Sequence, residues 1–198
     1  PYAAMPVMEG KCVLFKEFGN VNAVPICLDT QDTEEIIQAV KNIAPGFGGI
    51  NLEDISAPRC FEIEERLKEM LDIPVFHDDQ HGTAIVVLAG IINGLRVTGK
   101  KKEDCRVVVN GAGSAGVAIT KLLLTYGFKH VTMCDREGII GKDYPNLNWM
   151  QKKMTEVTNL ENASGTLADA LRGADIFVGV FAPNIVTPEM VSSMNKDA

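Results

Sequence analysis

Cys105-Arg106-Val107-Val108-Val109-Asn110-Gly111-Ala112-Gly113-Ser114-Ala115-Gly116 decides the fold. A run of strand-forming residues enters three glycines spaced G-x-G-x-x-G, and Val117, Ile119, Leu122 and Leu123 then follow a helical period. In that strand–turn–helix order each glycine has a task. Gly111 permits a tight turn, Gly113 lets backbone N–H groups approach a pyrophosphate, and Gly116 lets the helix pack closely on the strand. Ser114 and Ala115 complete the loop, where the helix N-terminus offers partial positive charge to the phosphates. Asp135 stands nineteen residues after Gly116, at the end of the next apolar run. A dinucleotide fold places there the acid that binds the adenosine ribose hydroxyls. A carboxylate at that point repels a 2′-phosphate and favours NAD, whereas Arg136 beside it is suited to meet the phosphate and keeps NADP open. Gly179 and Asn184 follow the third strand of this half, where a loop lines the nicotinamide side.

Outward from the glycine loop, strands and helices alternate. Strands are expected over 130–134 and 175–180, and helices near 148–157, 166–172 and 188–194. Upstream, the charged stretch Thr98-Gly99-Lys100-Lys101-Lys102-Glu103-Asp104 reads as a solvated junction between residues 1–98 and 99–198. Residues 82–95 are apolar nearly all round, which predicts a buried helix. Val24-Pro25-Ile26-Cys27-Leu28 reads as a short strand. Asp32 with Glu35 forms a capping signature for a helix carrying Ile36, Ile37, Val40 and Ile43, which Pro45 and Gly46 stop. Residues 49–52 and 73–77 read as strands. Ser56 and Pro58 open the helix between them, with Ile63, Leu67, Met70 and Leu71 on one face. The expectation is an α/β protein of two parallel-sheet domains, the second a Rossmann dinucleotide-binding domain. A full dinucleotide fold has about six strands and this half offers three. The chain opens on Pro1 rather than Met, so both domains are expected to be incomplete.

Composition bounds the class of function. Lys plus Arg is 19 and Asp plus Glu is 26 in 198 residues, a net charge of −7, with 46% hydrophobic residues. That apolar share excludes disorder. The acidic balance argues against nucleic acid or an anionic membrane as partner. The apolar run at 84–95 is far shorter than the roughly 20 residues a membrane span needs. Five widely spaced cysteines, with no C-x-x-C, read as buried thiols of a reducing cytoplasm.

Glu53-Asp54 and Asp78-Asp79 each close a predicted strand. Parallel strands align their carboxyl ends along one edge, where α/β proteins bind ligands. Carboxylates gathered there repel unless a cation is present, and a hard divalent metal, Mg²⁺ or Mn²⁺, suits oxygen ligands. Solvated strand-end acids, with Asp79 capping the next helix, satisfy the same pattern.

Several runs then resemble one family. Pro6-Val7-Met8-Glu9-Gly10-Lys11, Asn51-Leu52-Glu53-Asp54-Ile55-Ser56-Ala57-Pro58 and His77-Asp78-Asp79-Gln80-His81-Gly82-Thr83-Ala84 carry the likeness. The glycine loop and Gly179-Val180-Phe181-Ala182-Pro183-Asn184 continue it in order. The chain resembles the short bacterial-type malic enzymes along its whole length. The resemblance implies a metal held by Glu53, Asp54 and Asp79, a lysine base at Lys11, and Asp78 orienting that lysine. It implies oxidative decarboxylation of L-malate to pyruvate and CO₂ with NAD or NADP, in a homodimer or dimer of dimers. A malolactic-type enzyme carries the same motifs and releases lactate. The family's tyrosine acid and substrate arginine belong to segments upstream of the Lys11 run, and a malate-touching asparagine to a segment downstream of Ala198. Tyr2 stands too near Lys11 to match the tyrosine. The isolated chain is therefore also readable as a dinucleotide- and metal-binding module without turnover.

Overall fold

The structure is a computed structural model describing residues 3–198, so Pro1 and Tyr2 lie outside the described residues. Pro6 sits in the first turn of helix α1 (Met5–Gly19), where a missing N–H costs no intrahelical bond, and Asn20 closes the helix in the left-handed conformation at φ 51°. None of its residues is buried. The expected strand at 24–28 does not form, and residues 20–28 are irregular. Pro25 has no N–H to give a ladder, and Val24 and Ile26 are exposed.

Asp32 caps α2 (Thr33–Ile43) by accepting from the N–H groups of Glu34 and Glu35. Glu35 does not reach back to the cap residue; its carboxylate accepts from the Thr30 hydroxyl, and the Asp32 N–H donates to Thr30 Oγ1 at 3.1 Å. A 3₁₀ turn at Ala44–Gly46 leads to strand β1 (Ile50–Leu52), helix α3 (Arg59–Met70) and strand β2 (Val75–His77). β1 and β2 pair in parallel from Ile50↔Val75 to Leu52↔His77. Ile36, Ile37 and Val40 pack with Leu52, Ile63, Leu67 and Val75 as the first core. Met70 leaves the expected face and is 48% exposed. The buried stripe of α3 runs through Cys60, Ile63, Glu64 and Leu67, and its next member at that spacing is Leu71.

Helix α4 (Asp78–Thr98) begins inside the second acid pair and runs 21 residues, longer than the apolar run had suggested. By length and composition it is long and apolar enough to cross a membrane. The expectation of burial all round is corrected: only Gln80 and Ala84 are buried, while Ile85, Val86 and Val97 are exposed. One side, with Ala84, Val87, Leu88, Ile91 and Leu95, packs onto the second core. The polar, charged turn at Asp78–His81 is tied into the acid site described below.

The second sheet contains β3 (Arg106–Asn110), β4 (His130–Asp135), β5 (Gly138–Ile139) and β6 (Ile176–Gly179), in the order β5-β4-β3-β6. The three long strands are parallel, and the short β5, absent from the sequence expectation, adds an antiparallel edge. Helix α5 (Ser114–Tyr126) covers one face. The other elements are α6 (Trp149–Thr155), α7 (Leu167–Leu171) and α8 (Pro188–Ser192). Alternation along β3 decides which side each valine serves. Val107 and Val109 join Ile119, Leu123 and Val131 under α5, whereas Val108 joins Leu171 and Ala174 on the opposite face. A further cluster ties the two halves: Cys60 and Phe61 of α3 pack with Ala112, Val117, Met133, Met150 and Met154.

The charged stretch at 98–104 is not simply solvated. Lys100 donates to Asp175 Oδ1 at 2.8 Å and Lys102 to the Tyr126 carbonyl at 2.6 Å. The cysteines are free; Cys60, Cys105 and Cys134 are buried as expected, but Cys12, on α1, and Cys27, in the irregular segment, are only half-buried.

Candidate functional site

Because Leu52 pairs with His77, the residues that leave β1 and β2 emerge at the same sheet edge. Glu53 and Asp54 come from one strand, Asp78 and Asp79 from the other. Asp54 takes a left-handed backbone (φ 56°), which Asp tolerates better than most residues, and its N–H donates to Asp79 Oδ2 at 3.1 Å. One carboxylate oxygen from each of Glu53, Asp54 and Asp79 lies within 4.8 Å of the others. Oxygens sharing one hard cation stand at most roughly 4–5 Å apart, so this donor set fits such an ion by number, chemistry and spread.

Asp78 points elsewhere. Its carboxylate accepts from Lys11 Nζ, which also lies 3.1 Å from Glu53 Oε2. Gly82 makes room for it, since a Cβ there would stand 2.1 Å from Asp78 Oδ1. Burial pushes the Lys11 ammonium down, but its bonds to Asp78 and Glu53 outweigh this and hold it above its ordinary value. Burial pushes Glu53 up, Lys11 opposes, and the charges of Asp78 and Asp79 add to the rise. Burial is thus the main cause of the rise, the neighbouring acids adding a lesser part, and a nearby cation would favour the charged form.

Nearby, Glu64 is 4% exposed and accepts from His81 Nε2 (2.7 Å) and Lys68 Nζ (2.9 Å). Burial raises its pKa, but those two partners outweigh it and leave the carboxyl below its ordinary value. His77 is fully buried, with both ring nitrogens unpartnered among the described residues, and burial lowers its pKa.

At the glycine loop each glycine meets different surroundings. Gly111 has φ +122°, and a Cβ on it would lie 3.0 Å from the Val180 carbonyl carbon. A Cβ on Gly116 would lie 1.7 Å from the Gly111 oxygen, so the first turn of α5 sits directly on the end of β3. A Cβ on Gly113 would meet nothing within 4 Å. That open cradle, at the amino end of a 13-residue helix that begins at Ser114 and continues through Ala115 and Gly116, fits a dinucleotide's pyrophosphate. Asp135 is half-buried at the end of β4; its Oδ1 accepts from the Arg136 N–H at 2.9 Å. The Arg136 side chain is exposed. Asn184, at φ 59°, lies exposed in the loop after β6, and that loop begins beside Gly111.

Two groups escaped the sequence reading. Glu64, His81 and Lys68 form one; Gln151 is the other, donating to both the Ala112 carbonyl and Asp135 Oδ2 at 3.3 Å. The Asn148–Gln151 spacing of a capping box was the available signal for the second.

The acid site and the glycine loop are joined through α3. Its first turn follows Pro58 and places Cys60 and Phe61 against Ala112 and Val117. The sequence likeness agrees with this arrangement. The family model described as the malic enzyme N-terminal domain matches residues 2–68, and that described as the malic enzyme NAD binding domain matches residues 80–198. The chain belongs to the malic enzyme family. The NAD-dependent malic enzyme of Geobacillus stearothermophilus is 61% identical over all of this chain and 41% of its own length. The bifunctional malic/malolactic enzyme of Bacillus subtilis is 52% identical over all of this chain and 48% of its own. The crystal structure of the NAD-dependent malic enzyme from Thermotoga maritima superposes with a TM-score of 0.96 at 52% identity, covering 99% of this chain and 52% of that one. The chain thus spans between about two fifths and half of the length of these three malic enzymes.

Proposed function

We propose that the protein carrying this sequence oxidises L-malate and decarboxylates it to pyruvate and CO₂, reducing NAD⁺, with Mg²⁺ or Mn²⁺ held by Glu53, Asp54 and Asp79. The observation that carries this reading is the position of Lys11 Nζ, 3.1 Å from Glu53 at the edge of the three-carboxylate cluster. A divalent cation supplies Lewis acidity to the 2-oxygen of a hydroxy acid. In its neutral form, which a bound cation would favour, Lys11 Nζ would take the hydroxyl proton as the hydride leaves C2 for a bound nicotinamide. Loss of CO₂ from the adjacent carbon then leaves a three-carbon enolate, which takes up a proton to give pyruvate. Asp78 holds Nζ in place through an ion pair. A cation held by Glu53 would withdraw one of the two carboxylates that keep Lys11 protonated. Gly113 and the α5 amino end receive the pyrophosphate, Asp135 the adenosine ribose, and the loop with Asn184 the nicotinamide side. The ribose carboxylate supports NAD over NADP.

The test is Mn²⁺-dependent NADH formation from malate by the full chain. Lys11→Ala is expected to lower kcat by about 10²–10⁴, the usual contribution of a positioned base. Turnover at the parent rate would sink the assignment. The malolactic reading is favoured by the 52% likeness to the Bacillus subtilis bifunctional enzyme, and chromatography of the product decides between pyruvate and lactate. Assembly as a homodimer or dimer of dimers, expected from the family resemblance, is measured by analytical ultracentrifugation.

A further inference from the structure

Gln151 stands in the first turn of α6, and its side-chain amide serves three groups. Oε1 accepts from the Asn148 N–H at 3.0 Å, while Nε2 donates to the Ala112 carbonyl and to Asp135 Oδ2, each at 3.3 Å. The partners themselves fix which end of the amide is which. A backbone N–H can only donate, and a carbonyl and a carboxylate can only accept. The first contact closes a capping box with Asn148, whose Oδ1 accepts from the Met150 and Gln151 N–H groups. A capping box needs only the oxygen of its Gln. The NH₂ is surplus to the cap, and both its hydrogens reach the dinucleotide site.

Those two acceptors are the middle of the glycine loop and the carboxylate at the end of β4. We propose that Gln151 is a positioning residue for the dinucleotide, holding the Asp135 carboxylate at a fixed distance from the glycine loop. This rests on the reading of Asp135 as the ribose ligand. The platform is firm: Met150 and Met154, on either side of Gln151 in α6, are 1% and 2% exposed and pack with Ala112 and Met133. Asp135 Oδ1 and Oδ2 each accept one protein N–H, from Arg136 and Gln151 respectively. Each oxygen keeps a second lone-pair site for one hydroxyl of the ribose diol. A carboxylate held in this way also keeps its charge where a 2′-phosphate would enter, so Gln151 contributes to selectivity for NAD.

Gln151→Glu separates positioning from capping. A carboxylate still accepts from the Asn148 N–H, and a negative charge in the first helical turn is favourable, so the cap survives. Both donors are lost, and a second carboxylate is set beside Asp135. Calorimetric titration of the full chain with NAD, alongside its melting temperature, is the measurement. The expected result is a Tm lowered less than in Asn148→Ala and NAD affinity weakened about tenfold, the loss of two modest hydrogen bonds. Asn148→Ala is the converse, with a lower Tm and parent NAD affinity. Asp135→Asn combined with Gln151→Glu should bind NAD no more weakly than Asp135→Asn alone, since Gln151 acts through Asp135. Parent-like NAD affinity in Gln151→Glu, with Asp135→Asn weakened, overturns the positioning role and leaves the ribose reading intact. Weakening by Asn148→Ala equal to that by Gln151→Glu reduces Gln151 to a cap and overturns it too. Parent affinity in Asp135→Asn removes the ribose reading and this role with it.

Discussion

Adding one methyl at Gly113 or at Gly116 should separate cofactor binding from folding. At Gly116 the new Cβ would lie 1.7 Å from the Gly111 oxygen and 2.8 Å from its carbonyl carbon. Ordinary C···O contact is about 3.3–3.6 Å, so α5 must retreat from β3 by more than 1 Å. Neither partner is a flexible side chain, because both atoms are backbone. Overpacking of a core costs about 1–3 kcal/mol, and a clash between two main chains belongs at the upper end. In a chain of this size each kcal/mol lowers Tm by roughly 2–4 °C. At Gly113 the backbone is extended (φ −86°, ψ −161°) and accepts alanine, and the Cβ meets nothing. Replacing Gly by Ala at a compatible position gains about 0.4–1 kcal/mol through the unfolded chain. Gly113 is also the α5 N-cap, where Ala is worse than Gly by a similar amount. The two terms cancel, so Gly113→Ala should melt like the parent. Its methyl nevertheless occupies the cradle assigned to the pyrophosphate, and an intrusion of about 1–3 kcal/mol weakens NAD 5- to 150-fold. Urea midpoints and calorimetric NAD titration of both variants test this. Parent NAD affinity in Gly113→Ala, or equal instability in the two variants, would refute the reasoning.

Three further outcomes are expected. Asp175 accepts from Lys100 Nζ (2.8 Å), the Arg106 N–H (2.9 Å) and Asn195 Nδ2 (3.0 Å). Burial raises its pKa, but those donors outweigh it and leave it below 3.8. Its stabilising contribution is therefore present above about pH 4 and fades as pH falls through the folded value; Asp175→Asn should lower the urea midpoint at pH 7 and flatten its fall below pH 4. Mn²⁺ at 100 times its Kd should stabilise the parent by about 2.7 kcal/mol and Asp79→Asn far less, and equal melting shifts in the two would count against the carboxylate site. Leu123 is fully buried between α5 and the sheet; its change to Ala should cost about 2–5 kcal/mol with an unchanged denaturant slope.

What was legible in the sequence is what short-range pattern dictates. The G-x-G-x-x-G run specified strand, turn and helix because each glycine answers a local steric demand. The acid pairs were found because they end apolar runs, and the parallel pairing of β1 with β2 carries both to one edge. Readings failed where a long-range partner decides. Residues 24–28 have the composition of a strand but pair with none in the described residues. Residues 82–95 are apolar all round, yet α4 is covered on one side. β5 is two residues long and exists only by pairing with the end of β4. Gln151 drew no notice in the sequence, because its reach to Ala112 and Asp135 depends on how α6 docks on the sheet.

Lys11 is the member of the candidate site whose position owes least to packing. The carboxylates and the glycines leave the ends of strands and are fixed by the sheets. Lys11 rides on α1, a helix with no buried residue, and reaches the site through its ion pairs with Asp78 and Glu53. An exposed pair would contribute little and be screened by salt. Here the Glu53 side chain is 8% exposed, so the attraction acts at lower effective dielectric and resists screening. The same Glu53 belongs to the three-carboxylate cluster. Under the proposed function, loading that cluster with a cation and holding Lys11 would draw on one carboxylate, leaving Asp78 to keep the base in place while Glu53 serves the ion. That division of labour would account for two adjacent aspartates at the start of α4 pointing in different directions: Asp79 into the carboxylate cluster, and Asp78 over Gly82 to the lysine.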